Sequence, residues 1–420
     1  MNPWRSLGGL PKPLYVLAAA LLINRAGSMV IVLLAMYLTR GMGMSAELAG
    51  AVVTIYGAGS LCVSPVAGRL CDRYGASRVA TTMLTLSGVV LLLFPLATTP
   101  PAIITAAIAL SLVTEGFRPA VLTLVSELAP PDQRKTAFAL IRLAANLGMS
   151  VGPLLGGILA SWWFPAIFLV DGITSLIGAL VLLLALDRRR KGDAPAEQTG
   201  SPASVPPLPT RRAFTDPAML FFLFAMLGNV LVFFQFTAAL PLYLVSYLGL
   251  SERTYGLVFT VNTALILALE VPLNVAMARW PARWSLALGA ALVALGFAAT
   301  GLATGFWTVM ATVVVWTFGE MIMFPSASAH VADIAPAKRA GEYMGLYNML
   351  FGLGFTVAPG LGVLVLERMG ASTLWTAVLG FGLLSAVLLA FVNRAEAPLE
   401  PATKDEVDDE PPPSSRPLAE

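Results

Sequence analysis

The chain has 420 residues, 57% of them hydrophobic and only 12% charged, with a formal net charge of +2 and a mean hydropathy of +0.79. Soluble domains carry about 25% charged residues, so most of this chain belongs in lipid, and its near-neutral balance gives no electrostatic footprint for nucleic acid. The apolar runs are continuous rather than alternating, which selects membrane helices over a barrel.

Twelve spans are predicted, at about 14–38, 47–68, 78–98, 102–126, 137–160, 165–186, 218–244, 254–278, 284–304, 307–328, 342–366 and 371–392. The first run is long for a signal sequence and lacks a clear cleavage site, so it reads as a retained helix. Short loops carrying proline or glycine join the spans. One long polar segment, 187–217, opens with Arg188-Arg189-Arg190-Lys191 and continues with Pro, Ser and Thr, the composition of a flexible linker. It divides the chain into an N-terminal six-helix unit (1–186) and a C-terminal one (218–393). The remainder, 394–420, is Pro-rich and acidic and reads as a disordered tail. Most of the 26 Lys and Arg residues fall on one side, whereas Arg40, Arg253 and Arg368 fall on the other. The positive-inside rule then places both termini in the cytoplasm. Cys62 and Cys71 lie in or near one span and imply no disulfide framework.

A shift of 206 residues lays the first half on the second without gaps. Pro119 meets Pro325, Glu127 meets Asp333, Pro130 meets Pro336, Gly148 meets Gly354, Pro153 meets Pro359, and Arg73 meets Arg279. Prolines and charges in one register point to a duplicated unit, with a site between the halves near the midplane.

Three motifs lie on this frame. Gly68, Asp72, Arg73, Gly75 and Arg78 form a charged, glycine-bounded turn between spans 2 and 3. Gly148, Gly152, Pro153, Gly156 and Gly157 give span 5 a face of small residues, on which helix backbones approach closely. Glu115-Gly116-Phe117-Arg118-Pro119 places two charges three residues apart inside span 4. The first motif resembles the loop 2–3 pattern of the major facilitator superfamily. The second resembles the antiporter motif of its drug:proton antiporters, with Ala139 where that motif usually opens with glycine. The third is similar to the membrane-buried arginine segment of the same branch. The resemblance covers about residues 14–392. It implies an all-α protein of twelve transmembrane helices in two pseudo-symmetric six-helix bundles, working by alternating access. It further implies that Asp72 approaches the start of helix 11, about 341–343, and that Arg73 and Arg78 complete a charge network joining the halves. Ala278 stands where the second-half copy of Asp72 would be, which reads as a one-sided latch.

Ionisable groups at membrane depth usually line a cavity or pair with one another. Here they are Arg25, Glu115, Arg118, Arg142, Asp171, Glu270 and Glu320. Glu115 and Glu320 are the expected proton or substrate sites, with Arg25 and Arg118 as charge partners. Two readings stand for Arg142, above Asn146: a gate charge or a snorkelling side chain. Asp171 reads chiefly as a structural partner. Glu270, beside Pro272, either lines the cavity or satisfies backbone freed by the proline. His330 reads as an interfacial residue more than as a proton relay, and Trp162 and Trp163 as interfacial anchors. Gln235, Tyr56, Asn262 and the rings of Phe233, Phe234 and Phe236 are candidate cavity walls, although the rings suit lipid contact equally well.

No phosphate-binding loop, nucleophile–base pair or metal-ligand cluster is legible, so neither an enzyme nor a cofactor or metal site is expected. The leading expectation is a monomeric proton-coupled antiporter in a bacterial cytoplasmic membrane, exporting small hydrophobic or cationic compounds. A proton-coupled importer of a nutrient or peptide and a lipid or lysolipid transporter remain open.

Overall fold

A computed structural model describes residues 9–192, 212–250 and 252–392. Most of the expected linker (193–211) and the expected tail lie outside the described residues. Among the described residues all regular structure is helical. In order the helices are α1 (Lys12–Gly27), α2 (Val30–Met36), α3 (Ala46–Tyr74), α4 (Ala76–Leu93), α5 (Pro100–Leu128), α6 (Arg134–Trp162) and α7 (Ala166–Gly192). They continue with α8 (Pro217–Phe233), α9 (Ala239–Ser246), α10 (Glu252–Ala276), α11 (Ala282–Ala299), α12 (Phe306–Ile334), α13 (Ala340–Met369) and α14 (Ala371–Ala390). Among the described residues, twelve helical stretches are long and apolar enough to cross a membrane. The side on which α1 begins is called the near side below, and the opposite one the far side.

Two expected single spans are broken helices. The first comprises α1, a break at Ser28 and Met29, then α2 and a π-helical turn over Tyr37–Gly41. The seventh comprises α8, a 3-10 turn over Phe234–Thr237, and α9. Hydropathy cannot see such a break, because the side chains on both sides of it stay apolar. The backbone groups it frees need partners in lipid, and side chains from neighbouring helices supply them. Asp171 of α7 accepts from the Val30 N–H at 3.3 Å at the start of α2. The Gln235 Nε2 donates to the carbonyls of Leu231, at 3.1 Å, and Ala358, at 3.2 Å. The sixth span also differs from expectation: α7 runs on to Gly192, into the expected linker. The run Leu184-Ala185-Leu186-Asp187-Arg188-Arg189-Arg190-Lys191 is dominated by strong helix formers, which carry the helix past the apolar stretch.

Helices α1–α7 pack chiefly on one another, as do α8–α14. The two groups meet where α3 and α5 lie against α13, and where α6 lies against α10 and α12. At the near end of that seam α3 turns sharply into α4 through Gly75, whose φ of +89° lies in the left-handed region that side chains disfavour.

Candidate functional site

The seam is held on the near side by two fastenings. In the first, the Asp72 carboxylate at the end of α3 accepts from the Gly341 N–H at 2.7 Å and the Glu342 N–H at 2.8 Å. These are free donors in the first turn of α13, and the helix dipole favours an anion there. Gly68 and Gly341 allow the approach, since a Cβ on Gly68 would overlap the Gly341 carbonyl oxygen. Arg339 pairs with Glu342 at 2.9 Å alongside. Arg73 instead lies over the Tyr74 ring, with its guanidinium carbon 5.3 Å from the centroid, and Arg78 is exposed. Among the described residues neither joins an ion pair, so the inter-half network implied for them does not form here.

The second fastening is the pseudo-symmetric counterpart of the first with its polarity reversed. Gly341 minus 206 is Lys135, in the first turn of α6. Its ammonium donates to the carbonyls of Trp280, at 2.7 Å, and Met277, at 3.4 Å, and to Ser285 Oγ at 3.2 Å. The first fastening sets an anion against a helix start, and this one sets a cation against the carbonyls that follow a helix end. Arg134 adds an ion pair to Asp333 beside it. The one-sided latch expected from Ala278 is therefore corrected: both halves are fastened, and the second does it without a carboxylate at position 278.

Deeper in the seam, the guanidinium of Arg142 on α6 reaches two carboxylates of the other group. Nε lies 2.8 Å from Glu270 Oε1 on α10, and NH2 contacts Glu320 Oε1 on α12. Glu320 Oε2 accepts from Asn262 Nδ2 at 2.8 Å, and the same amide donates to Thr317 Oγ1 at 3.0 Å. Arg142 also lies over the Phe324 ring at 4.8 Å. Glu270 is fully buried, and neither of its oxygens accepts an aligned hydrogen bond among the described residues. Two acids share one base, so the cluster carries one negative charge when both acids are ionised and none when it holds a proton. The counterpart pair is neutral: Asn348 Nδ2 donates to Ser64 Oγ at 2.8 Å, and these positions are Arg142 and Glu270 displaced by 206 in opposite directions.

The remaining charges belong to the first group. Glu115 accepts from Tyr56 Oη at 3.2 Å, and Ser111 Oγ donates to the Tyr56 carbonyl at 2.5 Å. Arg118, one turn on, is exposed and makes no ion pair among the described residues. Its guanidinium lies 5.9 Å from the Phe351 centroid on α13, so that exposure is to the space between the groups and not to lipid. Arg25, also without an ion pair among the described residues, is partly buried beside the break of the first span. Among the described residues no three His, Cys, Asp or Glu side chains gather as a metal site requires.

Comparison with known proteins agrees with this architecture. The model for the Major Facilitator Superfamily matches residues 16–251 and 236–419. The chain belongs to the major facilitator superfamily. An MFS-type transporter of Bacillus subtilis (strain 168), YqjV, is 26% identical over 94% of this chain and 96% of its own length. The Na(+), Li(+), K(+)/H(+) antiporter of Planococcus maritimus is 24% identical over 80% and 85%. Among solved structures, a bacterial homologue of the iron transporter ferroportin in an outward-facing state superposes with a TM-score of 0.72 at 17% identity, covering 90% of this chain and 98% of that one. The chain is thus a transporter of this superfamily and not an enzyme.

In superfamily terms, the span 5 motif packs within its own half and not across the seam. A Cβ on Gly148 would lie 2.5 Å from Arg25 Cβ, one on Gly152 would lie 3.1 Å from the Arg25 and Ser28 carbonyls, and one on Gly156 would lie 2.7 Å from Met29 Cβ. The three glycines therefore form the bed of the first-span break. Gly157 faces open space, and Pro153 lies within α6. Gly354 and Gly362 repeat the device against Val230 and Gln235 at the break of span 7. Asn146 is partly buried, and its Nδ2 has no hydrogen-bond partner among the described residues. His330 is 4% exposed, with its ring 5.0 Å from that of Phe222, so it is a core residue and not an interfacial one. Phe233, Phe234 and Phe236, all partly buried, form one aromatic cluster that reaches the buried Phe324 of α12 and the exposed Phe355 of α13. Lys135, Ser64 and Asn348 were not singled out in the sequence; the 206-residue offset applied to Arg142, Glu270 and Gly341 would have found all three.

Proposed function

We propose that this protein is a proton-coupled antiporter that exports small amphipathic compounds by alternating access, with the near side facing the cytoplasm. The observation that carries this reading is the Arg142 guanidinium shared by Glu270 and Glu320 across the seam. An excess buried carboxylate next to one guanidinium gives a proton a defined place, and its occupancy changes the charge of the contact that the halves must break to open the near side. A change of one unit in the charge of this contact alters how strongly the halves hold together, and a few kcal/mol is enough to shift a two-state population. The span 5 motif and the antiporter of Planococcus maritimus support exchange rather than co-transport. The positive loops support the assigned orientation. The aromatic cluster of span 7 suits the apolar body of a substrate.

A second reading, proton symport of a carboxylate-bearing nutrient, is favoured by one observation: Arg118 presents a guanidinium without an ion pair to the inter-half space. Purified protein in proteoliposomes separates the two. An inward-directed proton gradient drives export of a fluorescent amphiphile in the first reading and uptake of a small carboxylate in the second. Glu270→Gln and Glu320→Gln are each expected to uncouple movement from the gradient while leaving counterflow of substrate. Full gradient-driven movement in both variants overturns the coupling role of the cluster.

A further inference from the structure

The internal repeat shows what the second fastening lacks. In the first half the Asp72 carboxylate occupies the space between the end of α3 and the start of α13. The equivalent space in the second half, beside Ala278 and the start of α6, is a cavity of about 810 Å³. Lys135, Arg279 and Arg283 line it. Lys135 is 9% exposed and its three hydrogen-bond acceptors are all uncharged; it makes no direct ion pair among the described residues, and the nearby carboxylate of Asp333, which acts on it through space, is shared with Arg134. Arg279 is exposed and makes no ion pair among the described residues. Arg283 lies over the Trp284 ring at 5.2 Å. Two acids face the same space. Asp333 is already held by Arg134, and Asp132 is exposed at the rim. The cavity therefore keeps an excess of positive charge at the place where its pseudo-symmetric counterpart holds an anion.

We propose that this cavity binds the phosphate of an anionic phospholipid headgroup, which supplies the charge that Asp72 supplies in the other half. Trp280, 47% exposed, and Trp284, 51% exposed, flank the two arginines at the near ends of α10 and α11, the depth at which aromatic rings meet headgroups. Basic pockets between helices at this depth suit such headgroups. Arg279 and Arg283 hold the phosphate, whose charge acts on Lys135 through space while the three Lys135 N–H groups keep their protein acceptors, so it strengthens the near-side closure.

The test uses the full chain in nanodiscs of phosphatidylcholine alone or with phosphatidylglycerol, read by thermal unfolding and by native mass spectrometry of retained lipid. Phosphatidylglycerol is expected to raise the unfolding temperature of the unaltered protein and to be retained selectively. In the Arg279→Gln, Arg283→Gln double variant its apparent affinity is expected to fall about fivefold for each arginine lost. Ala278→Asp places a carboxylate in the cavity. That variant is expected to be stabilised in phosphatidylcholine alone and to lose its response to phosphatidylglycerol. Inorganic phosphate added to phosphatidylcholine discs is expected to have little effect; if it stabilises as well as the lipid does, the headgroup assignment is wrong. An equal phosphatidylglycerol response in the unaltered protein and both variants overturns the site.

Discussion

Replacing Asp72 with asparagine tests whether the near-side closure rests on the two fastenings. The carboxylate makes two hydrogen bonds, of 2.7 and 2.8 Å, to donors at the start of α13. Hydrogen bonds to a charged group contribute about 1.5–3 kcal/mol each, and the helix end adds about 0.3–1 kcal/mol. Asp72 is exposed, so solvent screening places the total near the low end of that sum. Asparagine keeps one acceptor and loses the charge, for an expected loss of about 1.5–2 kcal/mol, or a shift of about 10- to 30-fold toward the near-open state. The chain carries its own reporter. Cys71 is 2% exposed, against α13, where a Cβ on Gly341 would lie 2.8 Å from its Cβ. With the exposed Cys62 replaced by serine, labelling of Cys71 by an impermeant maleimide from the near side should accelerate by about that factor when opening is fast relative to labelling. The introduced amide also changes the electrostatics beside the thiol. Lys135→Ala therefore serves as the companion, because it loosens the other fastening and leaves the neighbours of Cys71 intact. Unchanged labelling in both variants would refute the reasoning.

Other outcomes follow from the same geometry. Arg142→Ala leaves Glu270 and Glu320 without their shared cation and should destabilise the protein by about 3–5 kcal/mol in thermal or denaturant unfolding, with partial recovery when Glu270→Gln is added. Asp171→Ala removes the acceptor at the start of α2 and should cost about 0.5–2 kcal/mol while leaving proton-driven movement intact; loss of coupling at unchanged stability would contradict the capping role. Gly156→Ala drives a methyl group into Met29 and should cost about 1–3 kcal/mol, whereas Gly157→Ala meets open space and should be neutral or slightly stabilising. Comparing the unfolding temperatures of those two variants decides whether the motif acts through packing at the break.

The helix count and the repeat were legible in the sequence because both rest on properties that lipid enforces residue by residue: continuous apolarity and small or rigid residues in one register. The breaks at Ser28–Met29 and Phe234–Ala238 were not, because their signal lies in backbone conformation and in partners from other helices, Asp171 and the carbonyl of Ala358. The buried charges could be named singly but not paired. Glu115 and Arg118 share a helix face, yet Glu115 takes its hydrogen bond from Tyr56 on α3, whereas Arg142 and Glu320 meet across 178 positions of chain. Lys135 went unremarked because a lysine beside Arg134 near the membrane surface looks like any solvated loop charge. Only the position of Met277 and Trp280 in space gives it a task.

The glycine beds of α6 and α13 have a mechanical consequence. Each broken helix is clasped by the glycine-bearing helix of its own half, Gly148 and Gly156 under the break of span 1 and Gly354 and Gly362 under that of span 7. Neither contact crosses the seam between the halves, so under the proposed alternating access the breaks travel with their halves as fixed cargo. A disulfide engineered between α2 and α6 should therefore be silent in a working cycle, whereas one joining α3 to α13 should jam it.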